Sequence, residues 1–456
     1  MNDDLRPRRT ASTSRGGRGL APERPRAAAA RLPFPFKNPL LGTSFRWLLW
    51  SDALTLLSMM VGAVALPWWI AQSGGAHDLA VYGVLVSAMS FVALPLLSPF
   101  ADRHPKRSLM VVGLLGFGLS AAATAAYASL WHYRLDVVVA IAAIAVLANA
   151  LVQPATNSIV TELVPPAALS SALGLQQGAQ ASGRLIGPAI AGAVLAAFGT
   201  APTLWLGALL LFAAALLATR LPRPDATLTP PPRRSWATEF RVGLRVNWAI
   251  PMERGWVICN FIAALVMMPC VTMLVPLKVQ SLGLSAAWLG WCEAGLSLGM
   301  LVGSLGPASW WTRVQGRFGT RVTSSALIGV ACAIAGWTSD RHVLVSMFAL
   351  MGFASAATNL VGKTHRMLAR PLAFRARMSA AAIMTTQVSQ TLGPAIAGVA
   401  LTHWSLRAVY LGFGLASVVS ALGFFLIPGF RAFMALEHAE VDGFYARTYP
   451  QVFEAA

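Results

Sequence analysis

Arg184 stands near the centre of an apolar run from about Ser170 to Phe198. A fixed cation at that depth of a membrane-length segment is costly, so it has a purpose in binding or in packing. Gln176, Gln180 and Arg184 follow one another at i, i+4 and i+8 and so share one helix face. Asn149, Gln153 and Asn157 repeat that spacing in an earlier segment, and Gln387 and Gln390 sit in a later one. Amides at lipid depth must face protein or water. They either line a polar cavity or act as hydrogen-bonding glue between helices, at about 0.6 kcal/mol each. A guanidinium among such amides can hold an anionic or polyphenolic group, or a carboxylate, through charge-assisted hydrogen bonds. The competing reading is that Arg184 caps carbonyls freed by Pro188 or pairs between helices; it predicts misfolding on substitution.

Two acids complement these residues. Asp52 shares a helix face with Thr55 and Met59, and Glu293 is the acid placed deepest in the second half of the chain. Burial disfavours a charged carboxylate and a nearby cation favours it, so alternating exposure would load and release a proton. For Asp52 an alternative is an interfacial acid near a helix start, where the helix dipole favours negative charge. Trp68, Trp69 and Trp291 suit the membrane–water interface.

The chemistry of an enzyme is missing. The seven His are scattered, and no paired carboxylates or nucleophile dyad stand out. Gly295-Leu296-Ser297-Leu298-Gly299 matches GxSxG, but a nucleophile elbow needs a strand-to-helix turn. Here the motif lies inside an apolar helix, where Gly295, Gly299 and Gly303 make a small-residue packing ridge. Cys259, Cys270, Cys292 and Cys332 lack CxxC spacing and read as apolar packing residues. No metal or cofactor is expected.

The elements that must position these residues follow from composition. Of 456 residues, 56% are hydrophobic and 11% charged, against about 25% charged in a soluble domain. Twelve apolar spans are expected, among them 46–71, 79–100, 137–160, 170–198, 286–310 and 378–402. The net charge of +18 is a topology signal: 30 of the 35 Lys and Arg fall in the tails and loops of one side. That asymmetry places both termini in the cytoplasm and argues against nucleic acid as partner. Residues 1–44 read as a disordered basic cytoplasmic tail. It is no cleavable signal peptide, because the apolar segment after it is too long and ends without a small-residue cleavage site. Residues 45–220 and 255–430 form the two six-helix bundles, and 431–456 a second cytoplasmic tail. Between the bundles, 221–254 is a Pro-rich linker ending in a basic helix with Trp236, Phe240, Leu244 and Trp248 at four-residue spacing. That helix lies on the inner leaflet or docks between the halves.

The chain also repeats itself. Gly187 to Gly192 reads GPAIAG, and Gly393 to Gly398 reads GPAIAG again, with Ala155-Thr156-Asn157 and Ala357-Thr358-Asn359 upstream of the two copies. Gly183, Gly187, Pro188 and Gly192, and in the second copy Gly393, Pro394 and Gly398, form small-residue faces that let helices approach closely. Repeated halves of this kind are a signature of secondary transporters. In this alignment Arg184 corresponds to Gln390, so the pseudo-symmetry is broken at the charge.

These features resemble the major facilitator superfamily. Ser98 to Arg107 is similar to its loop between spans 2 and 3, where Asp102, Arg103, Lys106 and Arg107 match the acid and cations assigned to a cytoplasmic gate. Ser98 replaces the usual Gly, and the second-half copy is eroded to Thr312-Arg313. Gly183-xxx-Gly187-Pro188-xx-Ala191-Gly192 resembles the span 5 motif of its antiporters, with Ala191 for one Gly. Glu162-Leu163-Val164-Pro165, Gly183 to Pro188 and Glu239 to Leu244 are similar to the group that includes the enterobactin exporter and macrolide-type efflux pumps. The resemblance covers about residues 44–430. It implies an all-α polytopic membrane protein of twelve transmembrane helices in two pseudo-symmetric bundles. It further implies alternating access in the inner membrane and proton-coupled efflux of a siderophore-like or drug-like small molecule, by a monomer. Uptake of a small metabolite remains an alternative, as does, more remotely, a membrane sensor or scaffold that moves no solute.

Overall fold

The long helices of this chain are apolar on most of their surface, as expected where one side meets lipid and the other meets protein. The computed structural model describes residues 42–101, 104–164, 169–222 and 236–454, and shows helices and no strand among them. In order they are α1 (Thr43–Ala101), α2 (Lys106–Leu130), α3 (Leu135–Leu163), α4 (Leu169–Phe198), α5 (Thr200–Ala218) and α6 (Trp236–Ala249). α7 (Pro251–Pro269) continues through a π-helical turn, Cys270–Leu274, into α8 (Val275–Ser281). α9 (Ala286–Ser304), α10 (Pro307–Trp337), α11 (Arg341–Ala369), α12 (Leu372–His403) and α13 (Leu406–Gly423) follow. Last come four short helices: α14 (Phe430–Ala435), α15 (His438–Val441), α16 (Phe444–Thr448) and α17 (Pro450–Glu454).

Among the described residues, nine helical stretches are long and apolar enough to cross a membrane. The expected twelve spans differ from this count for identifiable reasons. Spans 1 and 2 fall on α1, which is broken at Gly75, where φ is +71°, a left-handed geometry that favours glycine. Spans 8 and 11 fall on α9 and α12, outside the nine. Their Gly, Ser, Thr and Gln residues serve packing and cavity at the expense of hydropathy. Span 8 also ends early, at Ser304 rather than 310.

One core is shared and two are not. Val61, Val64 and Ile70 of α1 pack in one cluster with Val271, Val275, Val279 and Leu289. At the other end Phe45, Leu109, Leu114, Val160, Leu211 and Leu221 form a separate cluster. A third joins Val246, Trp256, Met378, Phe430, Phe433 and Tyr445. The two halves are therefore welded at one end and parted at the other, which carries Phe45, the linker helix and α14–α17.

Two segments are more ordered than their sequences suggest. Residues 431–454, expected as part of a tail over 431–456, bury Phe433, Met434, Val441 and Tyr445. The linker helix α6 docks on α12: Asn247 Nδ2 donates to the Met378 carbonyl at 2.9 Å. A methyl added to Gly243 would run into the Arg377 carbonyl oxygen. Trp248 on its opposite side is exposed.

Candidate functional site

The glycine motifs build the welded end. On α4, Gly183 and Gly187 admit Leu56 and Met60 of α1. A methyl on Gly192 would lie 2.8 Å from the Gly290 Cα, and one on Gly290 would lie 2.5 Å from the Pro188 carbonyl oxygen. α4 and α9 thus meet backbone to backbone. The second GPAIAG copy makes the related crossing from α12. Pro394 meets Gly83, Gly398 meets Ala80 of α1, and Gly393 packs on the Leu265 carbonyl and Pro269 of α7. Gln280 Nε2 adds a hydrogen bond to the Trp68 carbonyl at 3.2 Å across the halves.

Beyond this seal the helices diverge around two cavities. One, of about 490 Å³, is lined by Gln177, Gln180 and Arg184 of α4, by Ser297, Met300 and Ser304 of α9, and by Asn359 of α11. Arg184 is exposed to it, and its guanidinium has no hydrogen-bond or ion-pair partner among the described residues. Gln180 is also one of two amides on Asp52. Gln176 Nε2 donates to Asp52 Oδ2 at 3.1 Å and Gln180 Nε2 at 2.9 Å. Gln176 itself is buried, so it holds the carboxylate instead of forming cavity wall. Asp52, Gln176, Gln180 and Arg184 are therefore one constellation, assembled from α1 and α4.

Glu293 is on the face of α9 that carries Ser297, Met300 and Ser304, one turn nearer the seal. Its carboxylate has no hydrogen-bond partner among the described residues. The other cavity, of about 610 Å³, lies in the second half and shares Met300 and Asn359 with the first. Gln390 lines it, whereas Gln387, Asn149 and Gln153 line neither. Of the expected gate, Arg107 Nη2 donates to the Thr219 carbonyl at the end of α5, where a cation suits the helix dipole. Lys106 begins α2, and Asp102 and Arg103 lie outside the described residues. No group of three or more His, Cys, Asp or Glu among the described residues could hold a metal.

The sequence reading missed Gln177, Ser297, Ser304 and Asn359. Gln177, Gln180 and Arg184 follow i, i+3, i+7 spacing, a signal that was present. Asn359 was noted only as part of a repeat.

A polar cavity closed at one end by two repeated helix crossings is a carrier architecture, and the match to a family model decides which. Residues 48–360 match the model described as Major Facilitator Superfamily. The chain belongs to that superfamily. This superfamily member is a multi-pass membrane transporter, not an enzyme. It is similar to the multidrug efflux pump Tap of Mycolicibacterium fortuitum, 26% identical over 382 residues, covering 81% of this chain and 91% of that one. It is also similar to the uncharacterized MFS-type transporter YfiS of Bacillus subtilis, 24% identical over 68% of this chain and 74% of that one. Among solved structures, the nucleoside transporter NupG superposes with a TM-score of 0.68 at 13% identity, covering 87% of this chain and 100% of that one. At that identity the likeness is one of fold.

Proposed function

We propose that this transporter exports a small organic molecule across the inner membrane by proton-coupled alternating access. The observation that carries the reading is the constellation of Asp52, Gln176 and Gln180 one turn from Arg184, which has no partner among the described residues, in a cavity sealed at one end. The Tap pumps, named for multidrug efflux, support a drug-like cargo; a siderophore-like cargo rests on the motif resemblance alone. Lys and Arg counts support placing both termini and the parted end in the cytoplasm. Residues 45–220 and 255–430 would then be two six-helix bundles that rock about the cavity, and a monomer contains the whole path.

The proposed cycle uses the hydrogen bonds directly. An ionised Asp52 accepts from both glutamine amides. A proton taken up on Oδ2, the oxygen that accepts both amides, displaces one of them, and Gln180, which faces the cavity, is the one free to turn. Gln180 also faces the cavity beside Arg184, so proton and cargo act on the same side chain. Arg184 holds an anionic or polyphenolic group of the cargo. Glu293, one turn above Ser297, is the second candidate proton carrier. Gln390, and in other states Asn149, Gln153 and Gln387, provide further polar wall. Lys106 and Arg107, with Asp102 and Arg103, close the cytoplasmic end in the alternate state.

Inverted vesicles holding an imposed proton gradient provide the test. A siderophore-like or drug-like compound is expected to dissipate the gradient with wild type. Arg184→Ala and Asp52→Asn, at equal abundance and equal melting temperature, should each lose at least about tenfold of that rate, or 1.4 kcal/mol of coupling. If no compound moves protons through folded wild type, proton-coupled export fails, and uptake or another ion takes its place. Misfolding of Arg184→Ala would instead make that arginine a helix-packing residue.

A further inference from the structure

The second-half cavity is bordered by more buried positive charge than the described residues neutralise. Arg321 of α10 is 3% exposed and lines it. Its Nη2 donates to Asn260 Oδ1 and its Nη1 to the Thr358 carbonyl at 3.1 Å, both neutral acceptors. The guanidinium lies 4.3 Å from the Trp256 ring centre and 4.8 Å from that of Phe424. Its Nε is buried without a partner, and no carboxylate pairs with it among the described residues. A buried cation satisfied only by dipoles and rings is an uncompensated cost.

Beside it is a cation in reserve. Arg366 also lines the cavity, and it pairs with the fully buried Glu253, Nε to Oε1 at 3.0 Å and Nη2 to Oε2. Glu253 accepts as well from Arg370 at 3.0 Å and from the Tyr445 hydroxyl at 2.9 Å. One carboxylate thus faces two arginines, with Arg321 unpaired nearby, leaving a formal excess of two positive charges. If Arg366 turned toward a ligand, Glu253 would keep Arg370 and Tyr445. The rest of the wall suits an apolar body: Trp256, Phe261, Met267, Met268 and Met300, with Gln390 and Asn359 as hydrogen-bonding amides.

We infer that this cavity is a second ligand subsite, one that takes the anionic group of an amphipathic organic anion on Arg321 and Arg366 and its apolar or aromatic body against Trp256 and the methionines. Shared Met300 and Asn359 make it continuous with the Arg184 cavity, so a longer cargo spans both. The inference extends the export reading by giving the cargo a charge class, but it concerns binding alone.

The test is equilibrium binding in nanodiscs, without a gradient, using two fluorescent probes with closely related aromatic frames. One is 8-anilinonaphthalene-1-sulfonate, an anion; the other is neutral N-phenyl-1-naphthylamine. Signal from empty nanodiscs is subtracted. Wild type is expected to prefer the sulfonate by about tenfold or more, or 1.4 kcal/mol. Arg321→Lys should keep that preference, and Arg321→Gln, which leaves only Arg366, should cut it several-fold while leaving the neutral probe unchanged. Thr386→Asp adds a negative charge to the wall without touching the arginine contacts and should have the same effect, which keeps the test open if Arg321→Gln does not fold. Equal affinity for both probes in wild type overturns the inference, as does an undiminished preference in folded Arg321→Gln or in Thr386→Asp. A preference lost in Arg184→Gln but kept in Arg321→Gln also overturns it, by placing the anion in the other cavity. A protein that binds as stated yet moves nothing in vesicles would sink export and leave this subsite standing.

Discussion

Glu253→Ala is expected to lower the stability of the second half by about 3–5 kcal/mol, the usual cost of removing one partner from a buried ion pair. The carboxylate is wholly buried and holds Arg366, Arg370 and Tyr445 together. Its loss strands two guanidiniums, and Arg321 adds to their mutual repulsion. Melting of the detergent-solubilised protein should fall by roughly ten degrees. Glu253→Gln keeps hydrogen-bonding capacity and loses the charge, so it should lie between. Tyr445→Phe removes a single donor and should cost only about 1 kcal/mol. A Glu253→Ala protein that melts with wild type would mean that the network contributes nothing net.

Gly192→Leu is expected to cut transport at least tenfold in a protein that still folds. The new side chain must enter a crossing where even a methyl would be 2.8 Å from the Gly290 Cα and 3.2 Å from the Ala286 carbonyl oxygen. Overpacking costs about 1–3 kcal/mol. In the proposed cycle the cost falls on the welded state, the one with α4 this close to α9. At 1.4 kcal/mol per decade, the population shifts by roughly tenfold or more toward a state with this end parted. A cysteine replacing Gln280, which reaches across the same seal to the Trp68 carbonyl, should become more reactive to a water-soluble maleimide. Gly174→Leu is the control, because nothing lies within 4 Å of a methyl there. Transport at the wild-type rate in Gly192→Leu would show that the seal does not govern the cycle.

The glycine crossings were half legible. The repeated GPAIAG announced close helix contacts, because small residues at fixed spacing have few other uses in a long apolar helix. Their partners were not legible: Gly290 and Ala80 are ordinary residues until the fold brings them across. The same holds for Asp52 and its glutamines. Each was a candidate by residue type, but the bond spans 124 and 128 positions of chain, and periodicity reports only on one helix at a time. The charge network was illegible for a different reason. Counting Lys and Arg by loop treats them as solvated, and so Arg321, Arg366 and Arg370 entered the topology as surface charge. Burial beside Glu253 and Trp256 is a tertiary fact, and the acid in the first turn of α7 was its only local trace. Gln387, Asn149 and Gln153 show the limit from the other side, as polar residues at helix depth that line neither cavity in this state.

The division of the apolar core also sets an order of assembly during synthesis. The cluster around Phe45, Leu114 and Leu211 needs nothing beyond Leu221, so it can close while the linker is still being made. The cluster around Trp256 draws on Phe433, Val441 and Tyr445, and it must wait until the ribosome has passed them. Until then Glu253 lacks its hydroxyl partner. The later half thus spends its time in the insertion machinery incomplete, in keeping with the general tendency of domains to fold in order from the N-terminus. Its completion rests on a short stretch of sequence outside the nine apolar helices.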